Sequence, residues 1–175
     1  MVTSANRNQP TPTIQIRAAH PGDVQLILEL ISELADYERA PEQAVATPEL
    51  IRQHLFGNGL GRGPTAECLI GVLNGTPQGF ALFFHNFSTW LGKPGIYLED
   101  LFVRPASRGS GLGKALLVRV ATIAIERGCE RFEWSVLDWN TPAIEFYKAA
   151  GAVGMNEWTV HRVTGAALHR LAQMT

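Results

Sequence analysis

The chain is poor in the features that would place it quickly. Two cysteines in 175 residues cannot build a disulfide framework, and Cys68 and Cys129 stand far apart, with no Cys-x-x-Cys and no histidine at ligand spacing. No zinc or other metal site is therefore expected. Neither sign of charge is in excess: 15 Lys and Arg against 16 Asp and Glu leave a formal net charge of −1, which argues against nucleic acid as a partner. No apolar run approaches the ~20 residues that span a bilayer, and nothing resembles a signal peptide. The expectation is a cytoplasmic protein without membrane contact.

Two common phosphate motifs are missing as well. A Walker loop needs Gly-x4-Gly-Lys-Ser/Thr, but counting back from Gly113-Lys114 puts Arg108 at the first glycine, and Ala115 replaces the hydroxyl. A dinucleotide fingerprint needs G-x-G-x-x-G after an early strand; Gly109-x-Gly111-x-Gly113 has the wrong last spacing and lies past mid-chain.

What is present can fold. With 46% apolar residues the chain can bury the core of one domain. Residues 1–12, polar with Pro10 and Pro12, read as a flexible tail. A short strand over 14–17 precedes a helix opened by His20-Pro-Gly-Asp23, with Val24, Ile27, Leu28, Ile31, Leu34 and Ala35 at helical spacing. Thr47-Pro48 caps a second helix to about Phe56. The glycine-rich stretch at 57–63 reads as a loop. Strands at 68–73 and 79–84 flank the turn signal Asn74-Gly75, and residues 85–95 read as a connection before a central strand at 96–103. Beyond Gly113 a helix runs to Arg127 and stops at Gly128. A strand over 131–137, a helix over 142–150, a last strand over 158–163 and a terminal helical turn complete the pattern. Strand, helix, strand within ~40 residues implies a parallel pair with a right-handed crossover. The expected class is α/β, with a mixed, mostly antiparallel sheet and one central parallel βαβ.

That βαβ carries the chemistry. A strand entering Arg108-Gly-Ser-Gly-Leu-Gly113 and then a helix aims backbone N–H groups and the positive helix end at one point, which suits a phosphate. The segment resembles the acetyl-coenzyme A loop of the Gcn5-related N-acetyltransferase (GNAT) superfamily. Glu33-Leu-Ala-Asp-Tyr-Glu38, Trp90-Leu-Gly, Tyr97-Leu-Glu-Asp-Leu-Phe-Val103, Trp139-Asn140 and Ile144-Glu-Phe-Tyr-Lys148 together look like its diamine (spermidine/spermine) N-acetyltransferase family. The resemblance runs from about residue 14 to 160, and implies a single N-acetyltransferase domain over 13–175, a homodimer, and acetyl-coenzyme A as co-substrate.

It also implies roles. Leu101, Phe102 and Val103 would offer main chain to the pantetheine arm; Arg108, Gly109, Ser110, Gly111, Leu112, Gly113 and Lys114 would hold the pyrophosphate. Asn140, Thr141, Pro142, Ala143 and Tyr147 would touch the cofactor. An alkylamine of pKa near ~10.4 is neutral in about one molecule per few thousand at pH 7, so a base helps, and Glu99 is the candidate. Tyr147 matches the family's proton donor to sulfur: a phenol of pKa near ~10 keeps its proton at pH 7 and can pass it to a thiolate. Tyr37, Glu38, Trp90, Glu99, Glu133, Trp134 and Ser135 are the candidate substrate contacts, an acidic and aromatic set suited to a cation. Neighbouring strand residues face opposite ways, so Glu99 and Asp100 share a pocket only across a bulge; otherwise Asp100 is a structural carboxylate.

One departure bears on substrate. Polyamine-specific members carry an acid two residues before the tryptophan of Trp-Leu-Gly, where this chain has Ser88, and Asn156 replaces an acid near Trp158. This leaves room for a diamine or a lysine-like amino acid such as thialysine. The alternatives are a protein or peptide lysine acetyltransferase, and a non-catalytic acyl-coenzyme A binding module.

Overall fold

The computed structural model describes residues 12–57 and 63–174. Apart from Pro12, the tail at 1–12 lies outside the described residues, as does most of the loop at 57–63. The chain packs as two compact units, Met1–Ser135 and Val136–Thr175.

The first unit is a five-stranded sheet in the order β1-β2-β3-β4-β5. Its strands are β1 Ile14–Ala18, β2 Glu67–Leu73, β3 Thr76–Ser88, β4 Lys93–Val103 and β5 Phe132–Trp134; its helices are α1 Val24–Tyr37, α2 Pro48–Leu55 and α3 Leu112–Glu126. All neighbours are antiparallel except β4 and β5, which are parallel and joined through α3. The sheet is therefore mixed and mostly antiparallel, as expected; the parallel βαβ stands at one end of the strand order rather than at its centre, because β5 pairs only with β4 among the described residues.

Local chemistry sets the boundaries. The Asp23 carboxylate accepts two bonds of 2.7 Å from Arg17 and one from His20 N, tying β1 to the start of α1. Arg17, with the His20 amide behind it, holds that carboxyl below its ordinary range against the cost of burial. The Thr47 hydroxyl accepts from Leu50 N at the α2 N-terminus, and Pro48 follows it. Asn74 and Gly75 take φ of 51° and 81° between β2 and β3, the mirror-image turn that Asn-Gly favours.

On one sheet face Cys68, Ile70, Val72, Phe80 and Phe102 pack with Ile27 and Leu30 of α1 and Leu55 of α2. Leu112, Leu116 and Val120 of α3 are fully buried, and the first two lie over Gly71, where a Cβ would come within 3.0 Å of Leu112. Phe80 is completely buried in the α1-side core. Phe80→Ala should therefore cost about 3–5 kcal/mol, read as a lower urea midpoint.

Three strand expectations need correction. Residues 85–95 are not a long connection: Asn86, Phe87 and Ser88 pair with Gly95, Pro94 and Lys93. Gly95 sits inside the ladder because a Cβ there would lie 2.3 Å from Asn86 Oδ1. The strand expected over 131–137 ends at Trp134, since β5 pairs only with Ile96, Tyr97 and Leu98 before β4 bulges.

The third correction concerns the second unit. It holds α4 Thr141–Ala149, capped by the Asn140 side chain accepting from Ala143 N, and α5 Gly165–Leu171. Gly151 follows α4 at φ 93°. Residues 158–163 form no strand and are exposed; their β-rich alternation has no ladder to join among the described residues, and an unpaired strand is not stable alone. No helix among the described residues is long and apolar enough to cross a membrane.

Candidate active site

The centre of the first unit is an irregularity in β4. Leu82 pairs with Asp100 and Phe83 with Leu98, so Glu99 has no partner on β3: it is the extra residue of a bulge. Paired residues share a face, so Tyr97, opposite Phe84, and Asp100, opposite Leu82, lie on the α1 side. Alternation from Leu98 puts Glu99 there too. The bulge thus meets the condition under which both acids serve one pocket.

Glu38, at the C-terminal cap of α1, completes an acidic group. Burial, then the charges of Glu99 and Glu38, push the Asp100 carboxyl up to about 7 from an ordinary 3.8. Burial also raises Glu38. The last turn of α1 carries no basic residue, so the negative end of the helix dipole adds to the same field. Tyr97 closes one side, its hydroxyl 2.7 Å from Ser135 Oγ and its ring 5.4 Å from that of Phe84. A cluster of this kind favours a cation and, near neutral pH, can take a proton from it.

The glycine turn follows within the same unit. Arg104 N donates to Gln78 O, so alternate β4 residues, Phe102 among them, turn their main chain to β3. Leu101 and Val103 turn theirs to the opposite edge, past the end of the β5 pairing. Gly109 and Gly111 adopt φ of 77° and 91°, with open space where the Gly109 Cβ would be. Gly111 is the N-cap of α3 and contributes no side-chain bond; at this helix N-terminus Leu112 N makes a long, 3.4 Å bond to Ser110 Oγ, and Gly113 and Lys114 complete the first turn of a backbone cradle. Ser110 Oγ donates to Ser107 O. Arg108 lies beside the cradle: its Nε donates to Val103 O at 3.1 Å and its guanidinium stacks 4.3 Å from the Tyr37 ring centre. These groups fit a pyrophosphate joined to an extended amide arm.

The other expected residues are placed less centrally. Glu133 on β5 accepts from Asn86 Nδ2 at 2.8 Å and pairs with Arg131, so its charge is already matched. Trp134 stacks edge-on with Phe132. Trp90 is 89% exposed in the β3–β4 turn. Ser88, by contrast, is buried, and its hydroxyl accepts from Leu91 N, so it shapes that turn. In the second unit Asn140 is buried as the α4 cap, Thr141, Pro142 and Ala143 form the first turn, and Tyr147 lies on the same helix with its ring 5.2 Å from Phe146. Tyr97, which the sequence did not single out as a contact, lies on the same side as these acids; its signal was the two-residue spacing to Glu99. A separate cavity of about 300 Å³ on the α3 side is lined by Arg17, Glu67, Arg119, Glu126 and Arg127. Its guanidinium groups are all matched by carboxylates, and the acidic group lies elsewhere.

The model of the acetyltransferase (GNAT) family matches residues 27–152. A thialysine N-epsilon-acetyltransferase of Bos taurus is 38% identical over 170 residues, covering 91% of this chain and 97% of that protein. An L-ornithine N5-acetyltransferase of Arabidopsis thaliana is 31% identical over 91% of this chain and 88% of its own length. Among solved structures, an integron cassette protein from the mobile metagenome of V. cholerae superposes with a TM-score of 0.75 at 27% identity, covering 92% of this chain and 98% of that one. The glycine cradle, the open β4 edge and a family match spanning most of the chain agree: this is an N-acetyltransferase, and it belongs to the acetyltransferase (GNAT) family.

Proposed function

We propose that this chain transfers the acetyl group of acetyl-coenzyme A to the terminal primary amine of a small cationic metabolite of the lysine, ornithine or diamine type. The observation that carries this reading is the acidic group of Glu38, Glu99 and Asp100 at the β4 bulge, beside the glycine turn. The names of the thialysine and ornithine relatives support the amine class.

Bound coenzyme supplies an acetyl thioester, a carbon electrophile for an amine lone pair. Gly109 to Lys114 bind the pyrophosphate through main-chain N–H groups, with Arg108 adding charge. Leu101, and Val103 through its main-chain N–H, hold the pantetheine amides along the β4 edge beyond the β5 pairing. Glu38 and Glu99 attract the ammonium group, and Tyr97 narrows its approach. One ammonium proton passes first, directly or through water, to the bulge carboxylates, which frees the nitrogen lone pair; as the C–N bond forms and the C–S bond breaks, the now strongly acidic nitrogen sheds a second proton to water. Glu99 was the expected base; Asp100, poised near neutrality, takes the larger share of that duty, and Glu99 keeps its pKa high. Tyr147 returns a proton to the departing sulfur from its hydroxyl, an assignment that rests on the matched run from Asn140 to Tyr147. A cytoplasmic homodimer would give exposed Phe87, Trp90 and Leu91 an apolar partner.

Free-thiol release from acetyl-coenzyme A with spermidine, spermine, putrescine, thialysine, lysine, ornithine and a lysine peptide tests the reading. Thialysine or ornithine should outpace spermidine, because Ser88 brings no acid to the turn that carries Trp90. Turnover only with the peptide, or with no amine at all, would overturn the small-amine assignment.

A further inference from the structure

Helix α1 reaches the glycine turn through two side chains one helical turn apart. Glu33 accepts from Arg104 Nε at 3.0 Å and from Arg104 Nη2 at 2.7 Å, and Tyr37 lies under the Arg108 guanidinium. The i,i+4 spacing on the helix matches the four-residue spacing of the two arginines, which flank the 3-10 turn Pro105–Ser107. Arg104 also donates Nη1 to Pro77 O and its main-chain N to Gln78 O. The bonds continue without a gap: Ser107 N to Arg104 O, Ser107 Oγ to Gln78 Oε1, Ser110 Oγ to Ser107 O, and Leu112 N to Ser110 Oγ. A line of hydrogen bonds thus runs from the middle of α1 to the first residue of α3. Glu33 and Arg104 form a bidentate, part-buried pair, the geometry in which an ion pair fixes position.

We propose that Glu33 and Arg104 are positioning residues: the pair sets the height of the glycine turn against the β4 edge. Neither residue touches the reacting atoms. Loss of the pair lets the 105–107 turn rotate, so the cradle N–H groups no longer converge, while the acids at the bulge stay in place. This rests on the reading of the glycine turn as the coenzyme site.

The test uses the full chain carrying Glu33→Gln, Arg104→Met, or the exchange of both charges (Glu33→Arg with Arg104→Glu). Coenzyme A binding is measured by calorimetry, and KM for acetyl-coenzyme A and for the amine are measured separately. Either single change should weaken coenzyme A about tenfold, a pairwise effect typical of contacting residues. The amine KM should move less than about twofold, and the charge exchange should recover much of the coenzyme affinity. A purely structural pair would lower the melting temperature and leave the ratio of the two KM values unchanged. Unchanged coenzyme affinity in Glu33→Gln, or a parallel rise in both KM values, overturns the proposal. Failure of the unaltered protein to bind coenzyme A would instead remove the underlying reading of the turn.

Discussion

Replacing Asp100 by asparagine is expected to lower kcat/KM by about 10²–10⁴-fold, the usual worth of a placed proton acceptor, and to erase the acid limb of the pH profile. The unaltered enzyme should gain activity as pH rises through about 7, where Asp100 ionises. Asparagine keeps the size and loses the titration, so the variant's remaining activity should be flat across that window. Stability supplies a control of opposite sign. A carboxyl whose folded pKa stands above its ordinary 3.8 favours the native state while protonated. That contribution is complete below the ordinary value and lost as pH rises through about 7. Asp100→Asn should therefore be at least as stable as the parent at pH 8, measured by thermal melting. A variant that melts early would mean that the loss of rate came from misfolding. A retained acid limb would move the base to another residue, with Glu99 next to be changed.

Tyr147→Phe carries the second large effect. The change removes one hydroxyl and keeps the ring that packs against Phe146 at 5.2 Å, so α4 should form as before. If the hydroxyl protonates the leaving sulfur, kcat should fall about 10²-fold or more while coenzyme A affinity changes by less than about twofold, because the interaction is made only in the transition state. An acetyl donor with a more acidic thiol should be less sensitive to the substitution, since a better leaving group needs less help. Turnover equal to that of the parent would take Tyr147 out of the mechanism.

Much of the molecule was legible because its signals are local. Thr47-Pro48, Asn74-Gly75, Gly128 and Gly151 each announce a boundary through backbone preferences that hold in any context, and each stands where expected. The long-range features were not legible. Gly95 looks like a breaker in one dimension, yet it is required inside a ladder by a side chain nine residues away. The strand pattern at 158–163 is a propensity that no neighbouring strand takes up among the described residues. The site divides the same way: the Leu-Glu-Asp sequence flagged two acids in an apolar strand, but only the register between β3 and β4 places both on one side. The bidentate bond between Glu33 and Arg104, 71 positions apart, leaves no trace in either residue's surroundings.

The bulge has a consequence for how this site could be gained or lost. Residues before Glu99 and residues after it each keep a regular pleat, and Leu98 and Asp100 already pair with adjacent residues of β3. Excising Glu99 would therefore close the two halves into an uninterrupted ladder, with every core side chain, Phe102 included, still facing its own helix. The acid behaves as a one-residue insertion spliced into an otherwise conventional sheet. Substitutions along β4 must answer to two packed layers, whereas a change in strand length at this one position leaves the facing of both layers intact. A one-residue insertion or deletion here would therefore add or remove an acid at this position without rebuilding the interior.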